Sequence, residues 1–419
     1  MNDNNPTVNV WLWDVFIGKL SWDPVAMRSV FSYSEEYLDS PFDLSPVSYS
    51  KERFRAKSFY GDRTFEGLPA FLADSLPDDW GNILFDKWTK DHNIPLNGMR
   101  SLLKLSFIGK RGMGALEFIP SQDVAADENS INLDSLYKVS MEVLHDREQV
   151  HLNSLENASL QQLITLGTSA GGKHAKGIIA MNKDGNIRSG QISFPPEYRY
   201  YLIKFKEDKE VPSCEIEKIF YDMAVEAGIT MMPSTLLPIG GDNHFLTERF
   251  DRLAGGEKIH TQSLRALTPS GNDYMNLFWL CDRLHTPEGQ KEELFRRMVF
   301  NFAAGITDDH NRNHSFIMDR AGQWSLSPAY DVMFSANIWA NPASAAHSLG
   351  MWQKRSHVSL RDCVDFGKDI DIPGCRETVM KIGRIVSTFP DRCAEAGING
   401  YWTDRIWEVL KNIVSEITH

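Results

Sequence analysis

Cysteine is sparse and scattered. Cys214, Cys281, Cys363, Cys375 and Cys393 are the whole complement of a 419-residue chain. None stands in a CxxC or Cys/His finger spacing, which excludes a disulfide framework and a structural zinc site. Long apolar runs are missing as well: no window approaches the about 18 apolar residues that a membrane-spanning helix needs. The start, "MNDNNPTVNV", has no basic segment leading into an apolar stretch, so no secretory signal is expected, and the chain is read as cytoplasmic with no membrane partner. Positive charge is in deficit, with 44 Lys and Arg against 56 Asp and Glu and a formal net charge of -12. Such a field repels phosphate backbones, which argues against nucleic acid as the main direct ligand and suits a basic protein partner. Repeats and low-complexity segments are absent too.

What is there reads as an α+β chain. "VNVWLWDVFIGKLS" alternates and is rich in aromatics, which predicts a strand pair with its turn at Gly18. "GLPAFLADSLPDDWGNILFDKW" follows as helix and loop packing of bulky apolar groups. The polar stretch 121–130 marks a junction, and "LDSLYKVSMEVL" after it has helical spacing. A Gly-containing loop, "TSAGGKHAK", leads into a strand from Gly177 to Met181 and a hairpin turn at Lys183–Gly185. "YRYYLIKFKED" is a strand, "CEIEKIFYDMAVEAGI" a helix closing at Gly228, and "HFLTERFDR" another strand. Beyond residue 260 the pattern turns helical, with "EELFRRMVFNFAAG" and a final helix over 403–417. The expected organisation is an N-terminal β-containing subdomain over 1–125, a mixed α/β lobe over 126–255 and a mainly helical lobe over 256–419.

The densest polar run is "GITDDHNRNHSF", residues 305–316. A protein-kinase phosphoryl-transfer site needs an aspartate to accept the hydroxyl proton. It needs an amide five positions later for Mg²⁺, and a second aspartate for Mg²⁺ after a short hairpin. Asp308 and Asn313 meet that spacing, and Asp331 follows a predicted hairpin. Asp309 is out of register with Asn313, although the run by itself does not decide between the two aspartates. A pair at this spacing is unspecific alone, and a solvated turn is the bland alternative. A metal nest of Asp308, Asp309, His310 and His314 fares worse, because the run lies on a predicted loop and not on the helix of a zincin; His310 reads better as a brace of the loop.

Upstream residues complete the pattern. Lys204 is the ionisable group within the apolar core of "YLIKF", and Glu217 lies early in the next helix, where a carboxylate can fix a mobile ammonium. Glu215 sits at the cap, where interaction with the helix dipole explains it. "LTERFDR" is expected to connect the lobes. "TSAGGKHAK", neither GxGxxG nor GxxxxGK[ST], is suited to covering phosphates with backbone N–H groups.

At this point the chain resembles the HipA-like serine/threonine kinases, toxins of bacterial toxin-antitoxin pairs. The resemblance runs to about residue 385 on "LPDDWG" (76–81), "SAGGKHAK" (169–176), "YLIKF" (201–205), "ERFDR" (248–252), "DDHNRN" (308–313) and "SPAYD" (327–331), in the family's order. It implies a two-lobed protein-kinase-like fold with Asp308 as catalytic base, Asn313 and Asp331 as Mg²⁺ ligands, and Lys204, with Glu217, for the ATP phosphates. Glu248 and Phe250 would take adenine, and Asp251 would lie close to the ribose. Ser169, Gly171, Gly172, Lys173 and His174 would form the loop over the phosphates, with Ser169 the autophosphorylated serine and Thr168 beside it. The implied partners are a HipB-type DNA-binding antitoxin, through which DNA is met indirectly, and a protein substrate such as an aminoacyl-tRNA synthetase. Arg312 stands where the family usually has lysine, and Lys173 and His174 also depart from its usual residues. Rival readings are a nucleotide-bound corepressor acting with an antitoxin, and a small-molecule kinase.

Overall fold

The computed structural model of the chain describes residues 7–55, 57–94, 99–121, 131–145, 154–167, 174–191, 193–338 and 346–418. These fall into two compact units. The first comprises 1–207, 237–262 and 317–322, and the second 208–236, 263–316 and 323–419.

In the first unit, strand β1 (Thr7–Leu12) buries Val8, Val10 and Leu12 on one face, as its alternation requires. It pairs antiparallel with β2 (Val15–Asp23). The turn falls at Trp13–Asp14, where Trp13 takes φ +56°, and not at Gly18 as the composition of the run predicts. Gly18 lies inside β2, opposite Tyr33 of β3 (Arg28–Tyr33). A Cβ there would run into the Ser32 carbonyl and meet the Phe31 ring at 2.8 Å, so glycine serves close strand packing and not a turn. With β4 (Phe59–Tyr60) and β5 (Leu116–Ile119) the sheet has five strands in the order β4-β3-β2-β1-β5.

A second five-stranded sheet runs β7-β6-β8-β10-β9. Its members are β6 (Lys176–Met181), β7 (Ile187–Ser189), β8 (Arg199–Lys204), β9 (Ser234–Ile239) and β10 (Asp242–Glu248). The hairpin predicted at 183–185 joins β6 and β7. Helices Asp79–Asp91, Leu133–His145 and Ser154–Gly167 share one apolar core with this sheet, in which Trp80, Leu84, Leu163, Ile179 and Ile203 are buried. The helix over 154–167 has no counterpart in the sequence reading, which places only a loop near its end.

The second unit is mostly helical. Ser213–Glu226 belongs to it, although element order alone puts that helix with the mixed lobe. It ends as predicted, with Gly228 at φ +90°. Gln290–Ala303 buries Phe295, Met298, Val299 and Phe302, and Cys375–Ser387 and the final helix Gly400–Thr418 bury Val379, Ile382 and Leu410. All five cysteines are free and buried. No described helix is long and apolar enough to cross a membrane.

Candidate active site

In the second unit, helix Gln290–Ala303 delivers the chain to Gly305, at φ +61°. The Phe334 ring lies 3.0 Å from where a Cβ would stand there, so the helix exit is closely packed. Three residues later the aspartates part company. Asp308 is exposed, and its peptide is held from both sides: its N–H donates to Ser335 Oγ at 2.9 Å, and its carbonyl accepts from Asn313 Nδ2 at 2.8 Å. The carboxylate itself points toward His310, whose Nε2 is 3.9 Å from Oδ1.

Asp309 is 1% exposed. Its Oδ2 accepts from Tyr274 OH at 2.7 Å and lies 3.0 Å from His347 Nδ1, while Oδ1 accepts from the Ser348 and Leu349 amides at 2.9 and 3.3 Å. Asn301 Nδ2 extends the network to Tyr274 at 2.8 Å. A carboxylate saturated in this way has no capacity left for an incoming hydroxyl. Asp308 is therefore the aspartate of the pair whose carboxylate is exposed. His310 is the expected brace: its carbonyl accepts from Asn313 N at 2.9 Å and its Nδ1 from Arg312 N at 3.3 Å.

Asn313, half-buried, donates from its side-chain amide to the Asp308 carbonyl, a bond that does not use its side-chain oxygen. The predicted hairpin forms as Ser315–Met318 and Trp324–Leu326. After it, Tyr330 OH donates to the Arg312 carbonyl at 2.7 Å, tying the residue before Asp331 to the loop. Asp331 is exposed and takes φ +57°, a left-handed backbone that aspartate tolerates better than most residues. A carboxylate and an amide oxygen are hard ligands of the kind Mg²⁺ takes, and that ion completes its shell with water and phosphate oxygens. Among the described residues no group of three or more His, Cys, Asp or Glu side chains is set to hold a metal. Glu217 is buried on helix Ser213–Glu226, whereas Glu215 occupies the first turn.

In the first unit, Lys204 ends β8 and is buried, its ammonium 5.8 Å from the Phe245 ring centroid. Directly opposite it on β6 stands Lys176, also buried. Facing lysines on adjacent strands repel. Lys176 is the last residue of "SAGGKHAK", and sequence alone gives it no distinct role. Ser169, Gly171, Gly172 and Lys173 lie outside the described residues, as does Thr168. His174 is described: its Nδ1 is 3.2 Å from Glu207 Oε2, and Glu207 also accepts from Ala175 N at 2.7 Å. The motif is fastened from below by Trp80 of "LPDDWG", whose indole N–H donates to the Lys176 carbonyl at 3.0 Å.

Two expectations about "ERFDR" need correction. The segment is not a connector between units, because the chain stays in the first unit through Gln262. Asp251 is not placed to touch a ribose. It is 0% exposed and enclosed by Arg249, Arg252 and the Gly114 amide. Burial opposes its ionisation, but the two guanidinium groups outweigh that and hold the carboxyl well below the usual carboxylate range. Glu248 and Phe250 remain half-buried at the end of β10, with Glu248 3.5 Å from Arg199.

Two five-stranded sheets and a mostly helical second unit define an α+β protein. The chain matches the HipA-like C-terminal domain over residues 168–393 and the HipA N-terminal domain over residues 8–119. The first match alone spans more than half of the chain, and the chain belongs to the HipA family. The serine/threonine-protein kinase toxin HipA of Shewanella oneidensis is 21% identical over 362 residues, which is 78% of this chain and 75% of that protein. The solved complex of Shewanella oneidensis MR-1 HipA with HipB and operator DNA aligns with a TM-score of 0.66 at 16% identity. It covers 98% of this chain and 96% of that one, and at this identity shows the fold. The proinflammatory kinase CtkA of Helicobacter pylori aligns at a TM-score of 0.37 and 14% identity, over 52% of this chain and 85% of that one, a likeness too loose to argue from.

Proposed function

We propose that the protein is a Mg-ATP-dependent serine/threonine-protein kinase, the toxin of a toxin-antitoxin pair. The observation that carries the reading is the division of labour in the DDH run: Asp309 is buried and saturated, while Asp308 is exposed with its peptide held by Asn313 and Ser335. Asp308 accepts the proton of the acceptor hydroxyl as the hydroxyl oxygen bonds to the γ-phosphorus and ADP leaves. Lys204, with Glu217, is assigned to the ATP phosphates, and Glu248 and Phe250 to the base. Asn313 and Asp331 are assigned to Mg²⁺, which when bound neutralises charge on the transferring phosphoryl group.

A HipB-type DNA-binding antitoxin is the assigned partner, supported by the HipA relative solved with HipB and DNA and by the net charge of -12, which suits a basic protein. A protein substrate such as an aminoacyl-tRNA synthetase, and autophosphorylation at Ser169, follow from the family resemblance. Incubation with ATP and Mg²⁺ followed by mass spectrometry of the intact and digested protein tests the reading. Phosphate at Ser169 that is absent from Asp308→Asn supports it. ATP bound without any transfer overturns it in favour of a nucleotide-bound corepressor.

A further inference from the structure

The proposed chemistry leaves the N-terminal β module without a part, yet that module reaches the segment assigned to the nucleotide base. The contact is made chiefly by main-chain atoms. The Gly114 amide donates to Asp251 Oδ2 at 2.7 Å, and the Gly114 and Gly112 carbonyls accept from Arg252 NH1 and NH2 at 2.9 and 2.7 Å. Gly114 takes φ +72°, and a Cβ on it would meet the Thr261 amide and methyl at 3.0 Å, so the two backbones approach as closely as glycine permits. On the flank, Trp13 Nε1 donates to the Lys258 carbonyl at 2.8 Å, and Lys258 Nζ donates to the Lys110 carbonyl at 2.6 Å and to Glu117 of β5 at 2.8 Å.

Within this dock the charges are buried and interlocked. Arg249 Nε and NH2 each donate to Asp251 at 2.7 Å, and Arg252 NH1 adds a third guanidinium bond at 2.9 Å. Burying two cations and one anion is costly unless their further bonds are supplied; the module's glycine turn supplies them to Asp251 and Arg252, while Arg249 NH1 has no hydrogen-bond partner among the described residues. Three residues upstream of Asp251 stands Glu248, and Phe250 adjoins it, so the backbone that carries both is set at Asp251.

We infer that Asp251 and the Gly112–Gly114 turn form a buried dock through which the N-terminal β module positions Glu248 and Phe250. Asp251 is thus a positioning residue for nucleotide binding and not a nucleotide ligand. The inference rests on the kinase reading, and the test separates the two.

Titration of the full-length protein with the non-hydrolysable analogue AMP-PNP and Mg²⁺ gives the dissociation constant. Asp251→Asn removes the charge from the segment side, and Gly114→Ala disturbs the dock from the module side without altering any charge. Each is expected to raise the dissociation constant about tenfold, and the KM for ATP with it, with kcat changed less than threefold. Val25→Ser, on the exposed β2–β3 turn, is expected to leave both unchanged. Should the first two fail to fold, Trp13→Phe and Lys258→Met carry the test with an expected two- to fivefold rise. Folded dock variants that bind the analogue as the wild type does overturn the inference while leaving the kinase reading intact. A wild-type protein that binds no analogue overturns both.

Discussion

Tyr274 donates its hydroxyl to Asp309 at 2.7 Å, and this bond, reinforced by His347 and two amides, takes the second aspartate of the DDH run out of solvent. Asp308→Asn is therefore expected to abolish phosphoryl transfer without moving the thermal midpoint, because the side chain it alters is exposed. Asp309→Ala is expected to cost about 3 kcal/mol of stability by leaving the Tyr274, Ser348 and Leu349 donors unpaired. Activity per folded molecule should persist at low temperature. Thermal melts beside a transfer assay check both, and equal loss of activity in the two folded variants would sink the assignment of Asp308.

Asp331 combines a left-handed backbone with the charge assigned to the metal. Asparagine tolerates that backbone, so Asp331→Asn should keep the melting temperature and lose Mg²⁺-dependent transfer. Asp331→Val adds about 1–2 kcal/mol of backbone strain to the same functional loss. A melting comparison of the two variants separates conformation from charge.

Gly167 ends its helix where a Cβ would meet Leu84 at 2.6 Å, Trp80 Nε1 at 2.8 Å and the Lys176 carbonyl at 2.9 Å. Gly167→Ala is expected to destabilise the chain by about 2 kcal/mol through overpacking. Trp80→Phe should cost on the order of 1–2 kcal/mol by removing the indole bond to that carbonyl. Urea unfolding with unchanged m values would report both losses.

His314 is buried, its Nε2 has no hydrogen-bond partner among the described residues, and burial pushes its pKa down to about 4. The unfolded chain binds this proton near pH 6.5 and the folded one only near pH 4, so stability present above pH 6.5 is lost as pH falls through that window. The full loss is on the order of 3 kcal/mol. His260, pushed down to about 3 by burial, acts in the same direction. His314→Phe should flatten the fall between pH 6.5 and 4 measured by chemical unfolding, and an unchanged slope would contradict this origin.

Local pattern carried much of the fold. Strand-like pattern marked β1 and β8, helical spacing marked Ser213–Glu226 and Gln290–Ala303, and the placement of Lys204 on a strand and of Asp331 after a hairpin was legible from local pattern. The misplacements share one cause, which is contact between residues distant in sequence. Gly18 reads as a turn until Ser32 is seen behind it. Asp251 reads as a nucleotide contact until Gly114 closes on it from another part of the chain. Asp309 looks equivalent to Asp308 until Tyr274 and Ser348 consume its oxygens. Lys176 gained its place only from the register that sets it opposite Lys204.

The dock between the N-terminal module and "ERFDR" is written largely in main-chain carbonyls and an amide. Side chains elsewhere on the module can change without altering what the dock presents, whereas any residue larger than glycine at position 114 meets Thr261. A joint of this kind lets the module's outer surface drift toward new binding partners while the segment beneath it keeps its shape.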